Sequence, residues 1–305
     1  MILLSLLGEQ PIPNLLPLWQ KNSPFLAVRF VVSDATLPIA GTLIQLLKTD
    51  PQLKHLDVLP PIHVEPYDYL KTTERLSDSL SQYHYNNQPV IMNLTGGTKL
   101  MSLAAMQSAR QHHIPVLYIA TECAQIITLD PQDGKEISRE KIEVKISVEQ
   151  YLAAHGVEIS AHQNFNRKSQ LPYRPPKEGD ALESKVYQLA SQSGIFDDVQ
   201  RGIFVRRIDR PEVQNELDIL VTRNGRLVVC SCKSGQNFMK DWIYEISSLS
   251  SRESFGIYCG KVLVVDQEEI SETHLSRARI NHVKIVYGKK IDEIDQVLKQ
   301  TLAGR

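Results

Sequence analysis

The sequence predicts an α/β protein with two domains, and three observations lead to this expectation. The chain has 305 residues, more than a single hydrophobic core usually supports. In the first half, short apolar runs alternate with longer amphipathic stretches, as in a mostly parallel sheet covered by helices. A polar, proline-containing stretch near 160–180 then separates this half from a second region with its own helix and strands.

Composition and charge exclude several classes of protein. Hydrophobic residues make up 42% of the chain, with 15 Gly and 16 Pro, which excludes collagen-like, low-complexity and broadly disordered proteins. No apolar run approaches the roughly 18 residues of a membrane helix, so we expect no membrane partner. Four cysteines are too few for a disulfide framework and predict a cytoplasmic location. Because 34 basic residues balance 35 acidic ones, nucleic acid would be contacted only by local basic clusters.

Strands are predicted in the first half at 2–7, 25–33, 89–94 and 116–121, where the apolar runs lie. Helical patterns follow three of these four runs. In folds of this kind, ligands bind at the carboxyl ends of the strands, where loops lead into helix N-termini. The loops that follow the strands are therefore the first places to search for a site.

The strand at 89–94 leads into Thr95-Gly96-Gly97-Thr98-Lys99, and a helical pattern follows directly. Glycines let the backbone approach a ligand closely, and the free N–H groups at a helix start favour phosphate. The spacing fits neither a Walker loop nor a dinucleotide-binding fingerprint. An ordinary Gly-Gly turn with a threonine helix cap explains the same residues, so the spacing alone leaves both interpretations open.

The segment from Asn93 to Lys99 resembles the signature of CARF domains, the Rossmann-like sensors of cyclic oligoadenylates in type III CRISPR systems. The polar loop after the first strand, with proline and asparagine, is a second similarity. The resemblance implies a sensor domain at 1–145 in a homodimer, with one cyclic ligand on the two-fold axis. It also implies that cyclic tetra-adenylate is the allosteric activator. The ligand-binding residues that it implies are Gln10, Asn14, Thr95, Gly96, Gly97, Thr98 and Lys99.

In the second half, residues 146–178 are predicted to form a linker and residues 179–305 a second α/β domain. A helix is predicted from about 181 to its end at Gly194, followed by strands at 199–207, 215–223 and 226–234. This order places a helix directly before a group of β-strands.

Asn224-Gly225 lies between two alternating apolar runs and predicts a two-residue type I′ hairpin turn. The turn fixes the register, in which Asp218 lies opposite Ser231 and Glu216 lies opposite Lys233. Because side chains alternate along a strand, these four residues share one face of the hairpin. A catalytic site and a solvated surface are both compatible with such a polar face.

The spacing of Asp218, Ser231 and Lys233 resembles the core of the PD-(D/E)xK, or restriction-endonuclease-like, nucleases. In that family a hairpin places an aspartate and an acidic-x-lysine pair around a divalent metal. The helix that carries Glu183 is similar to the family helix with a metal-linked glutamate. The resemblance implies a catalytic set of Asp218, Ser231, Lys233 and Glu183. It implies a site for Mg²⁺ or Mn²⁺ formed by Asp218, Glu183 and Glu216.

The whole chain thus resembles the effector nucleases that join a CARF domain to a PD-(D/E)xK domain. The activity implied is metal-dependent cleavage of DNA and/or RNA, in which Lys233 positions the attacking water or neutralises developing charge. Ser231 departs from the family pattern because an acidic residue is expected there, and a hydroxyl is a poorer ligand for a hard cation. Glu216 or Glu183 is expected to compensate. Two alternatives remain, a signal-binding module with a degenerate nuclease domain and a ring nuclease that degrades its own activator through Lys99.

Overall fold

The computed structural model describes residues 1–85, 88–162, 179–235 and 237–304. It divides into two compact units, residues 1–144 and residues 145–305. Each unit contains one sheet with helices packed on it, which confirms the α/β prediction. None of the helices in these ranges is both long enough and apolar enough to cross a bilayer.

The first unit has seven strands and four helices among its described residues. The strands are β1 Ile2–Leu6, β2 Ala27–Val32, β3 Asp57–His63, β4 Val90–Asn93, β5 Val116–Ala120, β6 Gln125–Leu129 and β7 Glu136–Lys141. The helices are α1 Ile12–Trp19, α2 Leu37–Thr49, α3 Tyr69–Tyr85 and α4 Lys99–Gln111.

The sheet of the first unit has the strand order β3-β2-β1-β4-β5-β6-β7. The first five strands in this order are parallel, and β6 and β7 are added antiparallel. The chain moves outward from β1 on one side and then crosses to β4 on the other. The carboxyl ends of β1 and β4 are therefore neighbours at a switch point, where open α/β sheets bind ligands.

All four strands predicted in the first half are present, but three others were not predicted. Strand β3 contains two prolines, which are tolerated because it lies at the sheet edge. Strand β6 is only five residues long and has no more than two adjacent aliphatic residues, whereas β7 is largely polar and forms the other edge. These strands are stabilised by pairing with neighbours, so they lack the apolar runs by which strands are identified in a sequence.

The second unit has six strands, and the residues described there form six α-helices and one 3₁₀-helix. The strands are β8 Val157–His162, β9 Asp198–Arg207, β10 Arg210–Arg223, β11 Arg226–Lys233, β12 Cys259–Val265 and β13 Lys284–Tyr287. The helices are α5 Val148–Ala154, α6 Gly179–Gln192, α7 Asp241–Leu249, α8 Arg252–Phe255, α9 Glu272–Ile280, the 3₁₀-helix Gly288–Glu293 and α10 Ile294–Leu302.

The strand order of the second sheet is β13-β12-β11-β10-β9-β8. Strands β11, β12 and β13 are parallel, whereas β8 to β11 are antiparallel. Helix α6 contributes Leu182 and Val186 to a core with Ile219 of β10 and Cys230 of β11. This packing fixes one face of the β10–β11 hairpin and leaves the end of β11 for polar residues.

The segment predicted as a linker, 146–178, begins with ordered structure. Helix α5 buries Tyr151, whose hydroxyl donates to the Phe255 carbonyl over 2.8 Å. Strand β8 pairs with β9 and completes the sheet. Residues 146–162 therefore belong to the second unit, and residues 163–178 lie outside the described ranges.

Candidate functional site

The first candidate site is the loop between β4 and α4, at the switch point of the first sheet. Ser5 of β1 lies beside Asn93 of β4 in the parallel register. Helix α4 begins at Lys99, and its N-cap Thr98 accepts a hydrogen bond from the Met101 N–H over 3.2 Å. The loop therefore joins a central strand to a capped helix N-terminus.

A buried network of polar side chains lies beneath this loop. Asn93, Ser5 and Asn14 are all fully buried. Asn93 Nδ2 donates to Ser5 Oγ over 3.0 Å, and Ser5 Oγ donates to Asn14 Oδ1 over 2.8 Å. Because buried polar groups are costly to leave unpaired, the network holds the two loops in one arrangement. Asn14 was predicted to bind ligand, but its buried amide supports the loop from below.

Thr95 and Gly96 also serve the architecture of the loop. Thr95 Oγ1 donates to Asn93 Oδ1 over 2.7 Å and accepts the Ile119 N–H over 2.8 Å. A Cβ atom on Gly96 would lie 2.0 Å from the Leu6 carbonyl oxygen, so only glycine fits this close approach of two backbones. These two residues shape the loop surface through their backbone. The Thr95 hydroxyl already donates its proton to Asn93, so it has no proton left to donate to a ligand.

The surface of the loop is formed mainly by Gly97 and Lys99. Both are exposed, and Gly97 has a φ of 76° in the left-handed region. Thr98 is half-buried and its Oγ1 donates to the Pro66 carbonyl over 2.7 Å. Gln10 lies half-buried in the loop after β1. The site thus offers backbone groups at a helix start, one ammonium and one amide, a combination suited to an anion.

The second candidate site is at the end of the β10–β11 hairpin. Asn224 and Gly225 have φ values of 48° and 72°, the left-handed pair that a type I′ turn requires. The ladder pairs Ile219 with Cys230, in the register predicted from the sequence. Beyond this pair, Ser231 Oγ donates to Asp218 Oδ2 over 3.0 Å, so the predicted juxtaposition of these residues is confirmed.

Asp218 is half-buried, whereas the other carboxylates of the hairpin, Glu212 and Glu216, are exposed. Its Oδ2 atom also accepts the Cys232 backbone N–H over 2.7 Å. Burial raises the pKa of Asp218, while the Cys232 N–H, the Lys233 charge and the Ser231 hydroxyl counteract part of this rise. The nearby charge of Glu216 adds to it. The site is therefore negative and partly desolvated, and a bound cation would stabilise the ionised carboxylate.

Lys233 contacts a carboxylate that was not predicted from the sequence. Its Nζ atom lies 3.1 Å from Oε1 and 3.0 Å from Oε2 of Glu245, twelve residues further along. Glu245 belongs to α7, which packs near the end of β11. The sequence offers one weak signal for Glu245, an acidic residue on the helix that follows the strand with Ser231 and Lys233. Glu216 is exposed, and no ladder pair joins it to Lys233.

Glu183 is held by an arginine of the adjacent strand. Its side chain is 6% exposed, and Oε1 accepts Arg201 Nε over 2.8 Å. The pKa of Cys232 is raised well above its usual value by a hydrogen bond with Cys230 and by burial, and the charges of Asp218 and Glu183 contribute to this. Glu183 and Asp218 thus both raise the pKa of Cys232, and Glu183 itself forms an ion pair with the Arg201 guanidinium.

Four arginines form a basic cluster on β9 and at the start of β10, namely Arg201, Arg206, Arg207 and Arg210, and the first three are paired with acids. Arg206 Nε lies 2.5 Å from Glu158, and Arg207 Nε lies 2.8 Å from Asp209. Ion pairs of this kind compete with nucleic acid phosphates for the guanidinium groups. The structure therefore gives these arginines local partners within the second unit.

Oxygen donors of the kind preferred by Mg²⁺ or Mn²⁺ lie at the hairpin. They are the Asp218 carboxylate, the Ser231 hydroxyl and, at the rim, the Glu216 carboxylate. Within the described ranges, no three side chains of His, Cys, Asp or Glu are grouped closely enough to hold a metal ion. The donor chemistry fits a hard cation, and the small number of carboxylates predicts weak binding.

Comparison with known proteins relates both units to a single family. Residues 2–151 match the Card1 CARF domain, and residues 176–303 match the Card1-like endonuclease domain. A search of curated protein sequences gives no match.

Solved structures share this two-unit fold at low sequence identity. Can2 from Sulfobacillus thermosulfidooxidans, solved in complex with cyclic tetra-adenylate, is 19% identical with a TM-score of 0.77, and the match covers 99% of each chain. The protein VC1899 from Vibrio cholerae is 15% identical with a TM-score of 0.80, over 99% of this chain and 98% of that chain. A type III CRISPR defence DNA nuclease activated by cyclic oligoadenylate is 15% identical with a TM-score of 0.67, but this chain spans 52% of its length.

Proposed function

Because the chain belongs to the Card1 family, with a CARF domain followed by an endonuclease domain, we propose that it is a nuclease of type III CRISPR antiviral defence activated by a cyclic oligoadenylate. The observation that carries this proposal is the hairpin site, where a confined aspartate lies beside Ser231 and Lys233. A cytoplasmic location goes with this function, and all four cysteines are free thiols.

The activator site is the loop of the first unit. Gly97 and the first turn of α4 offer backbone N–H groups to a phosphate, and Lys99 supplies a positive charge. Gln10 supplies an amide from the facing loop, while Asn14, Thr95, Gly96 and Thr98 hold the shape of the site. Cyclic tetra-adenylate is the first candidate, because the similar Can2 was solved in complex with it.

Two features favour a homodimer, the two-fold symmetry of a cyclic tetra-adenylate ligand and the exposed apolar side chains of α4. Leu100 and Leu103 lie just beyond the loop and are 38% and 59% exposed. A ring with two identical halves is matched by two copies of one site across a two-fold axis. Burying these leucines between two copies would remove apolar surface from water next to the ligand.

The nuclease chemistry is assigned to the hairpin residues. Asp218 and Glu216, with the Ser231 hydroxyl, would hold Mg²⁺ or Mn²⁺, which supplies Lewis acidity toward a phosphodiester and lowers the pKa of a bound water. Lys233 neutralises the charge that develops on the phosphate oxygens. Glu183 joins this set only if it leaves Arg201; in the present arrangement it anchors that arginine. DNA is the first substrate to test, followed by RNA.

A cleavage assay with defined variants tests the proposal. Plasmid DNA, single-stranded DNA and single-stranded RNA are incubated with protein, Mn²⁺ and cyclic tetra-adenylate. We expect cleavage only when metal and activator are both present, and we expect Asp218→Ala and Lys233→Ala to abolish it. Cleavage that survives in both variants would contradict the assignment.

Two other outcomes identify the alternatives. Nucleotide binding without cleavage of any substrate would indicate a signal-binding module, the alternative that Ser231 favours. Linear adenylate fragments in chromatograms of the nucleotide after incubation would indicate that the sensor also opens its ring. Lys99→Ala then separates the two activities, because it should remove ring binding and leave the hairpin intact.

A further inference from the structure

We propose that a pocket along β9 and β10 binds one nucleotide of the substrate strand, with the base on an apolar floor and a phosphate on arginines of the rim. This β9–β10 pocket has a volume of about 150 Å³ and is closed by residues of β8, α7 and α8. The inference rests on the proposed nuclease function. It extends that function from the cleavage chemistry to the selection of a base.

The floor of the β9–β10 pocket is apolar. It includes four side chains that are between 2% and 4% exposed, namely Val157, Val205, Leu217 and Phe255. An apolar cavity of about 150 Å³ holds one aromatic ring of the size of benzene. The floor therefore has room for the ring of a single base, and covering that ring removes apolar surface from water.

The rim of the pocket is positively charged. Arg206, Arg207 and Arg210 line it, whereas no aspartate or glutamate is among its described lining residues. Arg206 and Arg207 pair with acids that lie outside the lining, so their charges are partly neutralised. Arg210 is exposed and forms no ion pair within the described ranges. Its guanidinium is therefore available to a phosphate, which it can bind through two parallel hydrogen bonds.

Asn215 of β10 provides the amide of the pocket lining. It is half-buried, and its side-chain amide makes no hydrogen bond within the part of the chain that the structure describes. An amide presents a donor and an acceptor side by side, a pattern that matches some base edges and not others. The pocket is therefore expected to prefer one base over the others.

Strand β10 connects the pocket to the proposed catalytic residues. It contributes Arg210 to the rim, Asn215 to the wall and Leu217 to the floor. Asp218 follows Leu217 directly, so their Cα atoms lie about 3.8 Å apart. A nucleotide in the pocket is thus close to the carboxylate at which we place cleavage. This continuity favours the substrate strand over a free nucleotide as the source of the bound group.

A purely structural role of the rim is the competing explanation. Arg207 donates to the Glu253 carbonyl over 3.0 Å and thereby connects β9 to α8. If the arginines only stabilise the fold, loss of the Arg210 charge leaves nucleic acid binding unchanged. Binding measured separately from cleavage therefore distinguishes the two roles.

The test is the affinity of the full chain for fluorescein-labelled single-stranded oligonucleotides in EDTA, where metal-dependent cleavage does not occur. Arg210→Gln should reduce the slope of log affinity against log salt by about 0.7, because one phosphate contact is lost. Asn215→Leu should keep this slope and reduce the affinity difference among thymidine, cytidine and adenosine homopolymers by about fivefold or more. The matched control is Arg279→Gln, an exposed arginine of α9 outside the pocket, which should bind like the wild type.

Equal salt slopes of Arg210→Gln and the wild type would overturn the inference, as would a wild type that binds all three homopolymers equally. If deoxynucleoside monophosphates bind through Arg210 while strand affinity is unchanged in Arg210→Gln, the occupant is a free nucleotide and the substrate strand is excluded. Base-selective strand binding that depends on Arg210, without cleavage of any substrate, would support the pocket and contradict the nuclease function. Equal thermal unfolding of the wild type and the variants excludes a folding defect as the cause of lost affinity.

Discussion

Ser231 and Asp218 share one hydrogen bond, and in the proposed nuclease the chemistry of this pair determines how the hairpin binds a cation. The hydroxyl donates to Oδ2 over 3.0 Å and lowers the pKa of Asp218, against the larger effect of burial, which raises it. A carboxylate at 231 would act in the opposite direction, because two like charges at close range raise each other's pKa until a cation neutralises them. Substitution at this position therefore changes metal affinity and proton affinity together.

Ser231→Glu is expected to lower the Mn²⁺ concentration for half-maximal cleavage by about tenfold, since it adds a hard oxygen ligand. The measurement is cleavage rate against metal concentration at fixed activator. Ser231→Ala is the control and should not lower the requirement. An unchanged metal dependence in Ser231→Glu would show that residue 231 does not face the cation.

Asp218→Asn is expected to stabilise the folded protein at neutral pH while removing cleavage. Burial raises the pKa of Asp218, so the folded state binds its proton more tightly than the unfolded state does. Ionisation above that raised pKa destabilises the fold, and asparagine avoids it while its oxygen still accepts the Cys232 N–H. Below the ordinary carboxyl range the aspartate is protonated in both states, so the difference should vanish.

Thermal unfolding of both proteins from pH 4 to pH 7 measures this effect. The melting temperature of Asp218→Asn should exceed that of the wild type at pH 7, and the gap should close as the pH falls. A gap that widens toward acid pH would mean that the aspartate stabilises the fold in its ionised form.

Single residues were predictable where a local rule fixed them. The type I′ turn at Asn224-Gly225 determines which residues face each other, so the contact between Asp218 and Ser231 followed from the sequence. Asn14 and Glu245 did not follow, because burial beneath a loop and the docking of a helix depend on contacts between distant segments. The Glu183 contact with Arg201 was missed for the same reason.

At the level of elements, the β4–α4 loop depends on the close approach of two backbones. Gly96 lies where a Cβ atom would meet the Leu6 carbonyl oxygen, and a Cβ on Gly8 would lie 2.9 Å from the Gly97 nitrogen. Neither contact can be relieved by rotating a side chain. The β1 and β4 loops therefore move together if either is widened.

Gly96→Ala is expected to reduce stability by about 1–3 kcal/mol and to weaken activator binding by roughly tenfold. Gly41→Ala is the matched control, because a Cβ there meets nothing within 4 Å and the position lies inside α2. It should raise stability by about 0.5–1 kcal/mol. Chemical denaturation and binding of labelled cyclic tetra-adenylate measure both effects, and equal behaviour of the two variants would contradict the close approach.

Elements with apolar periodicity were predictable, and elements held by their neighbours were not. The four central strands of the first unit and the β9–β11 strands carry continuous or alternating apolar runs. In contrast, the edge strands β3 and β7 and the short α5–β8 segment carry mixed sequences. They gain order from pairing with an existing sheet edge, a tertiary effect that local patterns do not contain.

At the scale of the whole molecule, activation requires that the ring distinguishes two states of the protein. A ligand shifts an equilibrium only through its differential affinity for the states involved. In the homodimer that we propose, a cyclic ligand that bridges two copies meets this condition, because a monomer would offer it only half of the contacts. In that assembly, dimerisation and activator binding are linked, and each strengthens the other.

Leu103→Glu tests this linkage, since it places a charge on the exposed face of α4 beside the activator loop. Leu103 is 59% exposed, so the substitution should leave the fold of the first unit intact. We expect it to shift the protein from dimer to monomer in sedimentation velocity and to weaken cyclic tetra-adenylate binding by about tenfold or more. Ile280→Glu, at a 79% exposed position of α9, is the control and should remain dimeric. A Leu103→Glu protein that stays dimeric and binds the ring normally would place the subunit interface elsewhere, because no desolvated apolar contact could tolerate the new carboxylate.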